Sequence, residues 1–166
     1  MDHAALIHQP RPFLPGALAP MARLPVLTQL ADFQHALNEQ FDNCRHGACY
    51  RPRLALQKLR SGIELLCQVQ EELLYPALCA SRDEPWPALA RAMESIDALR
   101  DLAALGDRTG DAQQRALVAL LEGLVQLQFV SFDELLAEAD VAAMPWDRLE
   151  QELQAALQGY NAYAVN

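Results

Sequence analysis

Apolar residues recur at spacings of three and four along five stretches of this chain, and that period excludes most folds. Between Val26 and Cys44 the stripe is Leu27, Leu30, Gln34, Leu37 and Phe41. Between Pro52 and Leu78 it is Leu56, Leu59, Ile63, Leu66, Gln70, Leu73 and Ala77. A third stretch enters at Trp86-Pro87, carries Leu89, Met93, Ile96 and Leu99, and ends near Leu105. The fourth, from Ala112 to Ala139, carries Leu117, Leu120, Leu124, Leu127, Ser131 and Leu135. Pro145 opens a short fifth, with Trp146, Leu149, Leu153 and Leu157 running to Gly159. One apolar face per 3.6 residues is the signature of an amphipathic helix. Leu and Ala dominate the apolar set and β-branched runs are scarce, which disfavours strands. The expectation is an all-α, up-down-up-down four-helix bundle with a short C-terminal fifth helix.

Punctuation between the stretches agrees with this plan. Gly47 is placed to stop the first helix. Pro52 suits a first helical turn, where a missing N–H costs nothing. Pro76 should kink or end the second helix. Gly62, inside it, costs about 1 kcal/mol relative to Ala and points to a close helix crossing. Ser81–Pro85 reads as a loop, and Gly106–Asp111 as a turn with Asp111 as a good N-cap. Residues 1–24 hold Pro10, Pro12, Pro15 and Pro20, with Pro25 next. They form an irregular arm, because proline stops both helix and strand from propagating. Leu6, Ile7, Phe13, Leu14 and Leu18 of the arm are expected to pack on the bundle or on a partner. Residues 25–166 then make up one helical domain.

Composition narrows the function. With 52% hydrophobic and 21% charged residues in 166, the chain is of the soluble globular class. A formal charge of −9 makes nucleic acid and anionic lipid poor partners. No unbroken apolar run reaches the length of a membrane span, and the Pro-rich start is unlike a signal peptide, so the expected location is cytoplasmic. The four cysteines, Cys44, Cys49, Cys67 and Cys79, are expected as thiols there.

The segment Cys67-Gln68-Val69-Gln70-Glu71-Glu72-Leu73-Leu74-Tyr75-Pro76-Ala77-Leu78 ends the second stripe with an acidic pair, a hydrophobic turn and a proline stop. It resembles the second helix of hemerythrin-like (HHE) domains. Phe132-Asp133-Glu134-Leu135-Leu136 is similar to that family's acidic-apolar stretch after its last histidine, and Pro25 through Gln40 to its first helix. The resemblance covers roughly Pro25 to Met144. It implies a di-iron site built from about five histidines and a pair of bridging carboxylates projecting into the bundle. Carried over residue by residue, the first-helix histidine falls at Gln34 and the second-helix histidine at Cys67, with its glutamate at Glu71. The third-helix histidine falls near Ser95, after Glu94, and the fourth-helix pair at Leu127 and Ser131. Only Glu71 keeps its type. The chain has four histidines, His3, His8, His35 and His46, and His35 lies about 100° round the helix from Gln34.

No cofactor is therefore expected, and loss of the site should leave Leu127 and its neighbours filling the interior, with a Gln34–Gln70 contact or a trapped water satisfying the remaining polar groups. The alternative is a metal- or oxygen-responsive domain holding iron through an altered set, Glu71, Cys67, His35 and Glu134. Cys44 and Cys49, flanking Arg45 and His46, are a third option as a redox pair or zinc half-site. Ser61 and Ser131 have no histidine nearby in sequence, and nothing indicates an enzyme. Phe129–Glu134 also resembles a helix of bacterial anti-sigma regulators. The functional expectation is a non-catalytic interaction or regulatory bundle, acting on a protein partner or as a homodimer.

Overall fold

The computed structural model of the chain describes residues 24–45, 52–82, 86–105 and 111–164. Every long segment among them is helical: α1 (Pro25–Arg45), α2 (Pro52–Val69), a π-helical turn (Gln70–Leu74), α3 (Tyr75–Ala80), α4 (Pro87–Ala104), α5 (Asp111–Glu138) and α6 (Trp146–Ala164). A 3₁₀ turn, Val141–Ala143, links the last two. Because α2, the π turn and α3 form one continuous helical path, the described residues make a bundle of five helices. Residues 1–23 of the arm and the His46–Cys49 corner lie outside the described residues.

Neighbour relations give a ring in which α1 touches α2 and α5, and α4 touches α2 and α5. The pairs are antiparallel where side chains mark the register. Gln34 and Arg45 of α1 reach Gln126 and Glu122 of α5, and Trp86 and Ser95 reach Glu138 and Gln128. The core inside the ring joins Leu30, Leu37 and Phe41 to Leu59, Ile63 and Leu66, Ile96 and Leu99, and Leu121, Val125 and Phe132. Burying a large aliphatic or aromatic side chain contributes about 1.5–3 kcal/mol, so this cluster supplies the main drive for folding. Helix α6 lies on the outside of the α1–α2 pair. It buries Leu149 and Leu153 and continues to Ala164, longer than its leucine spacing implied.

Two apolar registers differ from expectation. In α5 the buried face is Leu117, Val118, Leu121, Val125, Gln128, Phe129, Phe132, Leu135 and Leu136. Leu120 and Leu127, which fit the leucine spacing equally well, are 59% and 50% exposed. The helix is apolar nearly all round, so leucine spacing fits more than one face, and the face with the larger aromatic payload turns inward. In α4 Ala92 is buried and Met93 is 47% exposed.

Gly62 marks the close crossing that its position in α2 foretold. A Cβ there would lie 2.6 Å from Leu37 Cδ2, 2.9 Å from the Tyr160 hydroxyl and 3.2 Å from Gln40 Oε1. Glycine thus lets α1 and α6 converge on one point of α2, where Gln40 Nε2 also donates to the Tyr160 hydroxyl. For Gly62→Ala, a helix-propensity gain of about 1 kcal/mol opposes an overpacking cost of about 1–3 kcal/mol. Leu37 is fully buried and has no room to give. Urea unfolding of Gly62→Ala should therefore show a lower midpoint than the parent. A higher midpoint would mean that the crossing is slack.

Candidate functional site

Pro76 shapes the helix that carries the acidic motif. Its ring would collide with the carbonyl four residues back, and it has no N–H to give that carbonyl. The turn before it widens instead, with the Tyr75 N–H bonding to the Gln70 carbonyl five residues back. The extra residue shifts the inward face. Gln70 and Leu74 are buried, and Leu73, expected on the stripe, is only part-buried. π turns of this kind are found often at functional sites, which makes this region the first candidate.

Its polar groups, Gln70 apart, are committed to partners on neighbouring elements. Glu71 is clamped by Arg100 of α4, with Nη2 2.6 Å from Oε2 and Nη1 3.3 Å from Oε1. Arg100 also lies 3.4 Å from Glu64 and 3.7 Å from Asp97. The Glu71 hydrogen bond, against the opposing effect of burial and with the Glu64 and Glu71 charges added, raises the Arg100 pKa, so the guanidinium stays charged. One turn deeper, the Tyr75 hydroxyl donates to Gln128 Oε1 at 3.0 Å. Gln128 Nε2 donates to Ser95 Oγ, and Ser95 donates to the Ala92 carbonyl at 2.8 Å. Gln128 and Tyr75 are almost wholly buried, and this relay satisfies them. Sequence periodicity missed Gln128 because its neighbour Leu127 fits the same spacing. The proximity of Ser95 and Tyr75 has no local sequence signal at all.

The expected metal positions do not converge. Gln34 donates to Gln126 at 3.4 Å, and Gln126 to Asn38 at 2.7 Å, in place of the Gln34–Gln70 contact. Gln70 is buried elsewhere, with Oε1 unpartnered among the described residues. Leu127 faces outward rather than filling the interior, because α5 presents Gln128 and Phe129 inward instead. His35 is exposed and sits 3.4 Å from Glu39 on its own helix. Cys67 is fully buried, and burial pushes its thiol up to about 12, with Arg100 pulling down and Glu64 and Glu71 pushing up. Buried in this way it is a neutral thiol and not a ready nucleophile. Glu134 is exposed on α5, at the rim of a cleft. Among the described residues no group of three or more His, Cys, Asp and Glu could hold a metal ion. Cys44 is part-buried near the end of α1, and Cys49 and His46 lie outside the described residues.

The cleft, about 320 Å³, runs between α4 and α5 and is lined by Arg91, Ser95, Leu127, Ser131, Glu134 and Glu138 among others. It is an open trough whose floor includes the core residues Ala92 and Leu135 and Ser95, at the end of the Tyr75–Gln128 relay. Beside it stretches the outward face of α5. By length and composition the helix over Gln113–Glu138 is apolar enough to cross a membrane, a test that the core helix of a soluble bundle also passes. Glu122, Gln126 and Gln128 hide this from a search for unbroken apolar runs.

Comparison with protein-family models, curated proteins and solved structures finds no match for this chain. The hemerythrin-like resemblance rests on the motif residues alone.

Asp133 is the one carboxyl with a large shift among the described residues. Its Oδ1 is buried and accepts no hydrogen bond from them. Burial, then the Glu134 charge, raises its pKa from 3.8 to about 7. The folded state therefore holds this proton more tightly than the unfolded state. Its contribution to stability is complete below about pH 4 and is lost as pH rises towards 7. Asp133→Asn keeps the shape without the charge. Its melting temperature should exceed the parent's at pH 8, and the gap should close near pH 4. An equal gap at both values would show that ionisation of Asp133 costs the fold nothing.

Proposed function

We propose that this chain is a non-catalytic interaction or regulatory bundle that makes protein contacts through the outward face of α5. In this reading it is a relative of hemerythrin-like domains that has lost the di-iron site. The observation that carries the contact surface is the run between Arg115 and Glu134. Its exposed residues are Ala116, Ala119, Leu120, Gly123, Leu127 and Val130, with no polar side chain among them. The exposed face of α1, by contrast, carries Asp32, His35, Glu39 and Asp42. A contiguous apolar stripe on an otherwise charged surface marks a contact site. Internal ties support the loss of metal chemistry: Glu71 is held by Arg100, and Ser95 and Gln34 bond to amides of α5. A di-iron site needs convergent, unencumbered ligands, and these side chains neither converge nor are unencumbered.

Two measurements test the reading. Protein purified anaerobically should contain far less than one iron per chain, and stoichiometric iron would overturn the loss of the site. A photoreactive residue at position 127, in living cells, should give a discrete protein adduct. The same residue at position 54, an exposed leucine on α2, should not. Equal yields at the two positions would remove the α5 face as the contact surface.

A further inference from the structure

We infer that the occupant of this face is a second copy of the chain, with α5 antiparallel to the partner's α5 across a two-fold axis near Gly123. The inference rests on the α5 contact surface proposed above.

Spacing is the first support. Relative to Gly123, the exposed apolar residues fall seven and four residues before (Ala116, Ala119), three before (Leu120), and four and seven after (Leu127, Val130). A two-fold axis at Gly123 sets Ala116 against the partner subunit's Val130, and the Ala119–Leu120 step against the partner subunit's Leu127. Small residues thus meet large ones at both ends, as an isologous interface requires.

Gly123 is the second support. A Cβ there would meet nothing within 4 Å, so packing inside the chain gives no reason for a glycine. In mid-helix it costs about 1 kcal/mol relative to Ala. A glycine at the crossing point lets two helices approach closely, as Gly62 does inside the bundle.

Charge is the third. A chain of −9 repels its own copy unless the touching surfaces are neutral or complementary. The stripe is uncharged, and its ends are Arg115 and Glu134. Arg115 lies eight residues before Gly123 and Glu134 eleven after. In the antiparallel pair each Arg115 is offset from the partner subunit's Glu134 by about 4.5 Å along the axis, within reach of an arginine side chain. Neither residue makes an ion pair among the described residues. A basic partner would want carboxylates along the stripe, and there are none. Anionic lipid would be opposed by the net charge. From Ala116 to Val130 the stripe is about 21 Å long. Such a pair buries on the order of 1,000 Å² in all, the low end of specific interfaces, which implies a weak dimer.

Sedimentation equilibrium of the full chain, from micromolar to submillimolar concentration, should carry the mean mass from one chain towards two. Leu127→Glu should weaken association by about tenfold or more, and Leu54→Glu should leave it unchanged. Register is read by oxidative cross-linking, with the parent chain as background for its own cysteines. Gly123→Cys should cross-link to itself. Val130→Cys should not, but should cross-link to Ala116→Cys in a mixed pair. A monomer at every concentration, or self-cross-linking of Val130→Cys equal to that of Gly123→Cys, overturns the inference. If the chain stays monomeric while the adduct at position 127 contains another protein, the second copy is wrong and the contact surface stands. Monomeric chain that sediments with phosphatidylglycerol vesicles overturns both in favour of a lipid surface. An adduct of twice the chain mass supports both.

Discussion

Pro76 in the body of a helix is the constraint from which the rest of the interior follows. The chain meets it with the π turn of Gln70–Leu74, whose extra residue re-aims everything on either side. Tyr75 turns inward to find Gln128, and Glu71 turns to the helix edge to find Arg100. Without that step Leu73 would hold the interior place that Leu74 holds. The acidic pair would then present a different member to α4. The motif that most resembles a metal-binding helix is thus also where backbone geometry decides which polar groups face each other.

The consequence is a bundle whose polar groups serve as fasteners between helices. Arg100 ties α4 to the π turn, Gln128 ties α5 to both α3 and α4, and Gln126 ties α5 to α1. A buried amide left unpaired costs roughly 1–3 kcal/mol, so each tie fixes the register of the helices it joins. The Glu71–Arg100 pair is about one-third exposed on both sides, and solvent screening keeps its net contribution small. Its role is to occupy Glu71 more than to stabilise the fold. Cys67, close enough to that pair to feel its charges, stays a thiol because burial outweighs the pull of Arg100.

Much of the fold is legible in the sequence because helices announce themselves locally. Pro25, Pro52 and Pro87 open α1, α2 and α4, and the three-four spacing fills them. Gly62 could be read as a crossing because a glycine in a strong helix needs a reason. The inward face of α5 could not be read. Leu120 and Leu127 fit the period as well as Leu121 and Gln128, and only contacts with the other helices break the tie. That one ambiguity misplaced the candidate site, since it sent Leu127 into the interior and left Gln128 out. The pairings Gln34–Gln126 and Ser95–Gln128 join residues far apart in the chain. No local pattern encodes them.

The ambiguity of α5 carries its own information. A helix needs one apolar stripe to join a bundle, and a second stripe on the far side weakens specificity, because either face can bury. Two features inside this chain bias the choice. Phe129 and Phe132 give one face a larger area to bury, and Gln128 gives that same face a partner in Tyr75 that the other face lacks. The outward face offers Gly123 and two alanines, which lose little when left in water. The two faces therefore differ in payload although their spacing is alike. A buried polar tie on the heavier face makes the orientation unique, which leaves the lighter face free for a second, weaker contact.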